Sequence, residues 1–297
     1  MWGAVMTTRE FRFGAVLFAG GSRAAWQDTV RRAEDLGYDV ILAADHVGRP
    51  APFPALVSAA AVTTRARLGT FVLNAAFYQP ALLARDIATT DQLVDGRLEV
   101  GLGAGYARHE FEAARLPFPG PGERVEHLRH TVTELRRLFT DESYQPATAQ
   151  RPAPPLMLAG QGDKLLTLAA RYADIVGFSG FNPTTVPTRD DQVDDSAFAE
   201  RIEFLRVAAG SRFADLELNL LVQAVGLDGA APNLAFARSL APGLSDEALL
   251  RKPNVLRGSA GQIAEILHRQ RETHGLTYYV ANQLDMAAFA KVVDLLR

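Results

Sequence analysis

Short apolar runs alternate with amphipathic stretches along nearly the whole chain, the rhythm that parallel strands joined by crossover helices produce. Residues 11–18 read as strand one, and 24–36 as a helix closed by Gly37, a C-terminal cap. Strand two spans 39–45, a proline-rich turn follows, and 55–64 is the next helix. Strand three is 68–74; its helix starts at Pro80, a residue suited to a first helical position, and runs to Leu93. Strand four, 97–102, ends in the glycines of GLGAGY, residues 101–106, and a PFPGPGE loop leads into a charged helix over 124–139. Strand five starts at 155–158 and runs into AGQG, residues 159–162, followed by a helix at 165–172 and strand six at 174–178. The polar stretch 182–196 reads as an insertion or loop after strand six. Residues 198–209 are helical, 216–225 give strand seven, 234–250 hold one or two helices, and Ser259 caps a helix over 260–273. Strand eight, 276–281, and a helix over 286–296 close the chain. Eight strands with none to spare predict an α/β fold of the (β/α)8 TIM-barrel type. An open doubly wound sheet, which usually stops at about five to seven strands, is the rival.

The 297 residues are 48% hydrophobic, enough for one large core, so 9–297 is expected to form a single barrel domain behind an extended or disordered tail, 1–8. The 31 basic and 34 acidic residues are scattered, and a net charge of -3 advertises no nucleic acid partner. There is no cysteine, which removes disulfides, thiolate metal sites and thiol nucleophiles together. The six histidines lack metal-binding spacing, so no metal is expected. No run approaches the ~20 apolar residues of a spanning helix, and no signal-like start is visible, which points to a cytoplasmic protein without a membrane partner.

In such barrels chemistry collects just past the strand ends. Strand two ends in Asp45-His46, where an imidazole can move protons near neutral pH; an ordinary turn explains the pair as well. His127, His130, His268 and His274 read as solvated groups on or just after helices. GLGAG opens like a dinucleotide fingerprint, but the third glycine position falls on Tyr106 and no helix follows at once. A turn that frees amides for one phosphate fits equally, as does a plain tight turn. AGQG before Asp163 repeats that logic, and two such turns on consecutive strands suggest one shared anion.

AEDLGYDVILAADH (33–46), LGTFVLNAAFYQPALLARDIATTDQLVDGRLEVGLGAGY (68–106), RPAPPLMLAGQGDKLLTLAARYADIVG (151–177) and VLRGSAGQIAEIL (255–267) together resemble the bacterial luciferase-like oxidoreductase superfamily, in its branch that uses coenzyme F-420 (F420), an 8-hydroxy-5-deazaflavin. The resemblance implies hydride transfer to or from F420 bound at the barrel mouth. It places Gly103, Ala104, Gly105, Tyr106 and His109, with Ala159, Gly160, Gln161 and Gly162, around the phosphate and ribityl chain. It also implies a cis peptide at Phe71-Val72 behind the ring, with Asn74 at the ring edge. His46 would exchange a proton with the substrate, oriented or charged by Asp45. FMN is the alternative cofactor, for a monooxygenase, and a deazaflavin-binding protein without turnover is the alternative of another class. Phe18, Phe77, Tyr78, Phe178 and Phe181 as rim candidates suggest a small uncharged substrate, and Arg23, Arg49, Arg108 and Lys164 as candidates to attract the acidic tail of F420. Relatives commonly pair as homodimers.

Overall fold

The computed structural model describes residues 9–179 and 195–297. The first half contains β1 (Arg12–Leu17), α1 (Arg23–Asp35), β2 (Val40–Ala43), α2 (Pro52–Ala60), β3 (Arg67–Thr70), β4 (Leu73–Asn74), α3 (Pro80–Leu93), β5 (Leu98–Gly103), α4 (Arg108–Ala113) and α5 (Pro121–Thr140). The second half contains β6 (Leu156–Ala159), α6 (Asp163–Tyr172), β7 (Ile175–Phe178), α7 (Asp195–Ala209), β8 (Glu217–Val222), β9 (Ala224–Leu227), α8 (Ala235–Leu240), α9 (Asp246–Leu250), β10 (Val255–Gly258), α10 (Ala260–His274), β11 (Leu276–Asn282) and α11 (Met286–Val293). The main sheet has the order β3-β2-β1-β11-β8-β7-β6-β5-β4, and β3 also pairs with β5. Because β4 continues the segment begun by β3, that order closes on itself: a (β/α)8 barrel, with one of its eight strand positions split. The expected tail, 1–8, and most of the expected insertion, 182–196, lie outside the described residues, as does Phe181.

By its contacts the chain divides into two compact units. The N-terminal unit is Val16–Asp35 with Asp39–Ala159; the C-terminal unit is Met1–Ala15, Leu36–Tyr38 and Gly160–Arg297. In the N-terminal unit β2 pairs with β3, β3 and β4 each pair with β5, and β5 pairs with β6, all in parallel. Strand three is interrupted by the cis peptide Phe71-Val72, which parts β3 from β4 where the apolar run alone reads as continuous. Val40–Ala43 and Leu98–Gly103 are buried along their whole length, as strands covered on both faces must be. The PFPGPGE stretch is shorter as a loop than expected, since Pro121 opens α5 and the Glu123 carboxylate accepts the Gly120 N–H at 2.9 Å.

Glu34, on the buried face of α1, ties down the turn before β3. Its carboxylate accepts backbone N–H bonds from Thr64 at 3.0 Å and from Arg65 and Ala66 at 2.8 Å each. Burial pushes this carboxyl up, but the three N–H groups and the Arg65 charge outweigh it and hold the group below its ordinary value. Glu34→Ala strands those donors, and a loss of about 2–4 kcal/mol is expected, read from the urea midpoint. A depressed native pKa gives stability that is present above the unfolded value, about 4.3, and lost as pH falls through the native one. The gap between wild type and variant should therefore narrow in acid.

In the C-terminal unit β7 pairs with β8 and β8 with β11, again in parallel. The expected strand seven divides at Gln223: β8 stays in the barrel, while β9 pairs in parallel with β10 as a separate two-stranded sheet. Leu234, Ala237, Leu244 and Leu249 form a small apolar cluster with Ala224 and Val255 of that sheet. Ser259 caps α10 as expected. Its Oγ accepts the Gln262 N–H at 3.2 Å, Gln262 Oε1 accepts the Ser259 N–H at 2.9 Å, and Gly275 at φ 75° ends the helix. Among the described residues no helix is long and apolar enough to cross a membrane.

Candidate active site

Past the end of β2 the chain turns through Asp45 and His46, inside the N-terminal unit. His46 Nδ1 lies 2.6 Å from Glu110 Oε1. The Glu110 side chain is buried, whereas that of His46 is 38% exposed. An ionised carboxylate can only accept, so a neutral imidazole here donates its Nδ1–H and keeps a lone pair on Nε2. A small hollow beside this ring is lined by Phe18, Ala44, Arg49 and Pro50, with the Arg49 guanidinium 5.1 Å from the centre of the Phe18 ring.

Of the two roles expected of Asp45, orienting or charging His46, the first is not seen, since its hydrogen bonds go elsewhere. Its Oδ2 accepts the Asn74 N–H and the Tyr78 O–H, both at 3.1 Å, while the imidazole bond goes to Glu110. Burial raises the Asp45 carboxyl above its usual range, against the lowering effect of Asn74, Tyr78 and His46. Burial, with the Asp45 charge and hydrogen bond, raises the Tyr78 phenol in turn. Glu110 escaped sequence reasoning because no element is read between GAGY and the PFPGPGE loop. The structure places α4 there, with Glu110 and Phe111 as its buried residues.

The GAGY turn is built by its neighbours. Gly105 sits at φ +73°, and a Cβ there would come within 2.6 Å of Asn74 Nδ2, so this position takes only glycine. Asn74 itself is buried, and its Oδ1 accepts the Ala76 N–H at 3.2 Å; its side chain shapes the turn. From outside, Arg124 donates Nε–H to the Gly105 carbonyl at 2.9 Å and Nη1–H to the Pro119 carbonyl at 2.5 Å. Gly103 and Ala104 carry the chain out of β5, Tyr106 and His109 are exposed, and Phe71 and Val72 are half-buried at the cis bond. His127 is not a solvated group, since its Nε2 lies 3.1 Å from the Ala75 carbonyl.

Ala159 ends β6, and Gly160–Gly162 belong to the C-terminal unit. Gly160, at φ +150°, donates its N–H to the Gly177 carbonyl at 3.0 Å, and a Cβ on it would meet Leu165 at 2.6 Å. Gln161 is buried, and Gly162 precedes α6 without a capping side chain, which leaves first-turn N–H groups for another acceptor. Phe178, expected at the rim, is 1% exposed and stacks edge-on with Phe198, so it is core. At the ends of β8 and β11 a polar cluster appears that sequence reading missed. Buried Lys252, lowered by burial to about 6, donates to Gln223 Oε1 at 2.6 Å, and Asn282 donates to Asp285, whose carboxyl burial raises to about 6. Among the described residues no group of three or more His, Asp or Glu side chains is gathered for a metal.

The family model described as luciferase-like monooxygenase matches residues 10–215, the greater part of the chain and all of the N-terminal unit. The chain belongs to the luciferase-like family. Within it, an F420-dependent glucose-6-phosphate dehydrogenase of Intrasporangium calvum is 35% identical over 197 residues, 59% of this chain and 57% of that protein. The chain thus spans little more than half the length of that relative. Among solved structures, the F420-dependent tetrahydromethanopterin reductase of Methanopyrus kandleri superposes with a TM-score of 0.75 at 17% identity, over 97% of this chain and 100% of that one. An F420-dependent secondary alcohol dehydrogenase in complex with an F420-acetone adduct gives 0.70 at 18% identity, with the same coverage.

Proposed function

We propose that this luciferase-like protein transfers a hydride between F420 and a small uncharged organic substrate, with His46 as the proton donor or acceptor. The observation that carries the reading is the 2.6 Å contact of His46 Nδ1 with Glu110, because it favours the tautomer whose Nε2 keeps its lone pair, on a residue that lines the hollow past β2. The names of the relatives support F420 as the cofactor, and the donor set fits such a group. In the N-terminal unit, Gly103, Ala104, Gly105, Tyr106 and His109 offer a glycine turn to a phosphate, and Phe71 and Val72 offer an apolar wall to a ring. In the C-terminal unit, Gly160, Gln161 and Gly162 offer the amides of an uncapped helix start.

When bound, F420 supplies a ring carbon that takes or gives two electrons as hydride, without the dioxygen chemistry open to FMN. The protein's own part is the proton. As an alcohol C–H bond breaks and its electron pair leaves as hydride, the hydroxyl proton passes to His46 Nε2 and a carbonyl forms. Reduction runs the same atoms in reverse. The imidazolium so formed is balanced by Glu110, in contact with it, and by the charge of Asp45.

Parallel titration of the protein with F420 and FMN tests the reading, followed by sugars, alcohols, enones and imines with whichever binds. Tighter F420 binding, with loss of its visible absorbance on adding an alcohol or sugar, is expected. Tighter FMN binding with substrate-dependent dioxygen uptake would instead make the protein a monooxygenase. Firm F420 binding with no reduction by any compound would make it a carrier.

A further inference from the structure

Two arginines beside the GAGY turn are placed as surface charges rarely are. Arg108 and Arg124 both stack on the ring of Phe118, their guanidinium carbons 4.6 and 4.2 Å from its centre. Phe118 is held in turn by an edge-on contact with Phe111 at 5.0 Å, so the platform under both cations is fixed to the buried face of α4. Among the described residues neither arginine has a carboxylate partner, although ion pairs are common elsewhere on this surface. Arg124 spends two donors on the Gly105 and Pro119 carbonyls; among the described residues its Nη2 and the side-chain donors of Arg108 carry no hydrogen bond. Burial and the neighbouring Arg108 charge both lower Arg124, as expected of like charges held close without a counter-ion.

Two such cations on one ring repel unless an anion lies between or across them, and planar guanidinium forks match the oxygens of phosphate or carboxylate. We infer that Arg108 and Arg124, stacked on Phe118 at the edge of the Gly103–Tyr106 turn, form an oxyanion site that receives a phosphate or carboxylate group of a molecule bound at that turn. Arg124 shapes the turn and contributes one donor, while Arg108 supplies the free fork. The site rests on the F420 reading only for the identity of its ligand. The anionic group can arrive on the cofactor's phosphate-bearing, acidic side chain or on a phosphorylated substrate, which would replace the uncharged one proposed above, and the two sources separate by experiment.

Arg108→Gln is the cleaner variant, because Arg108 is exposed and its side chain makes no hydrogen bond among the described residues. Binding of three probes is measured in wild type and variant: F420, the same deazaflavin alcohol without phosphate and acidic tail, and inorganic pyrophosphate followed by thermal shift. If the cofactor carries the anion, the variant binds F420 about tenfold more weakly or worse, with a shallower salt dependence, and binds the tail-less deazaflavin as wild type does. If a phosphorylated substrate carries it, F420 affinity is unchanged, while pyrophosphate stabilises wild type and not the variant. Equal F420 affinity together with equal response to pyrophosphate overturns the site. Failure of wild type to bind either deazaflavin overturns the cofactor reading instead, and the pyrophosphate arm still decides the site.

Discussion

Replacing His46 with alanine is expected to lower kcat by about 10²–10⁴-fold, the range that positioned proton transfer supplies, while F420 affinity stays within about twofold of wild type. The split follows from where the residue sits. His46 is beyond the end of β2, beside the hollow of Phe18, Ala44, Arg49 and Pro50, and none of its hydrogen bonds reaches the GAGY turn. Its loss removes a proton carrier and leaves the turn supported by Asn74 and Arg124. Anaerobic steady-state rates with F420 check this, and added imidazole should restore part of the lost rate. A variant retaining full hydride transfer would remove His46 from the chemistry altogether.

Glu110→Gln should show the next largest effect, a fall in kcat of about 10²-fold or more with KM nearly unchanged, because an amide can leave the imidazole in the wrong tautomer and no longer balances its positive charge. The pair lies at 2.6 Å with Glu110 buried, so little solvent is at hand to replace the lost carboxylate. A purely structural role for Glu110 would instead lower thermal stability and leave the rate per folded molecule intact. Thermal melts run beside the kinetics separate the two. The variant should also lose the advantage of added imidazole that His46→Ala retains, since its own ring still fills the place.

The barrel was legible because its strands are buried on both faces, so continuous runs such as VILA and LEVGLG mark them without any alternation to misread. Helix starts were legible where local chemistry speaks, at Pro80 of α3 and Ser259 of α10. What stayed hidden depends on contacts distant in sequence. Strand seven divides at Gln223, whose side chain accepts a hydrogen bond from Lys252, 29 positions away, and no apolar pattern encodes that contact. The pairing of β9 with β10 likewise joins segments about 30 residues apart, which local patterning does not specify. At the site, Asp45 and His46 stood out by position, but their partners did not. A carboxylate 64 residues beyond His46 holds its ring, while Asp45 turns to Asn74 and Tyr78. Short α4, with only six residues, lacks the periodicity that would have declared it, and Glu110 was lost with it.

Label transfer tests hydride movement to F420 most directly. An alcohol or sugar that turns over is prepared with deuterium on its oxidised carbon and mixed, without dioxygen, with the protein and one equivalent of F420; the cofactor is then recovered and its mass and proton spectrum recorded. The expected result is reduced F420 carrying one deuterium on the deazaflavin ring carbon, delivered to a single face. Reduced F420 holding only solvent hydrogen, or product formed solely with FMN and dioxygen, would contradict hydride transfer to the deazaflavin.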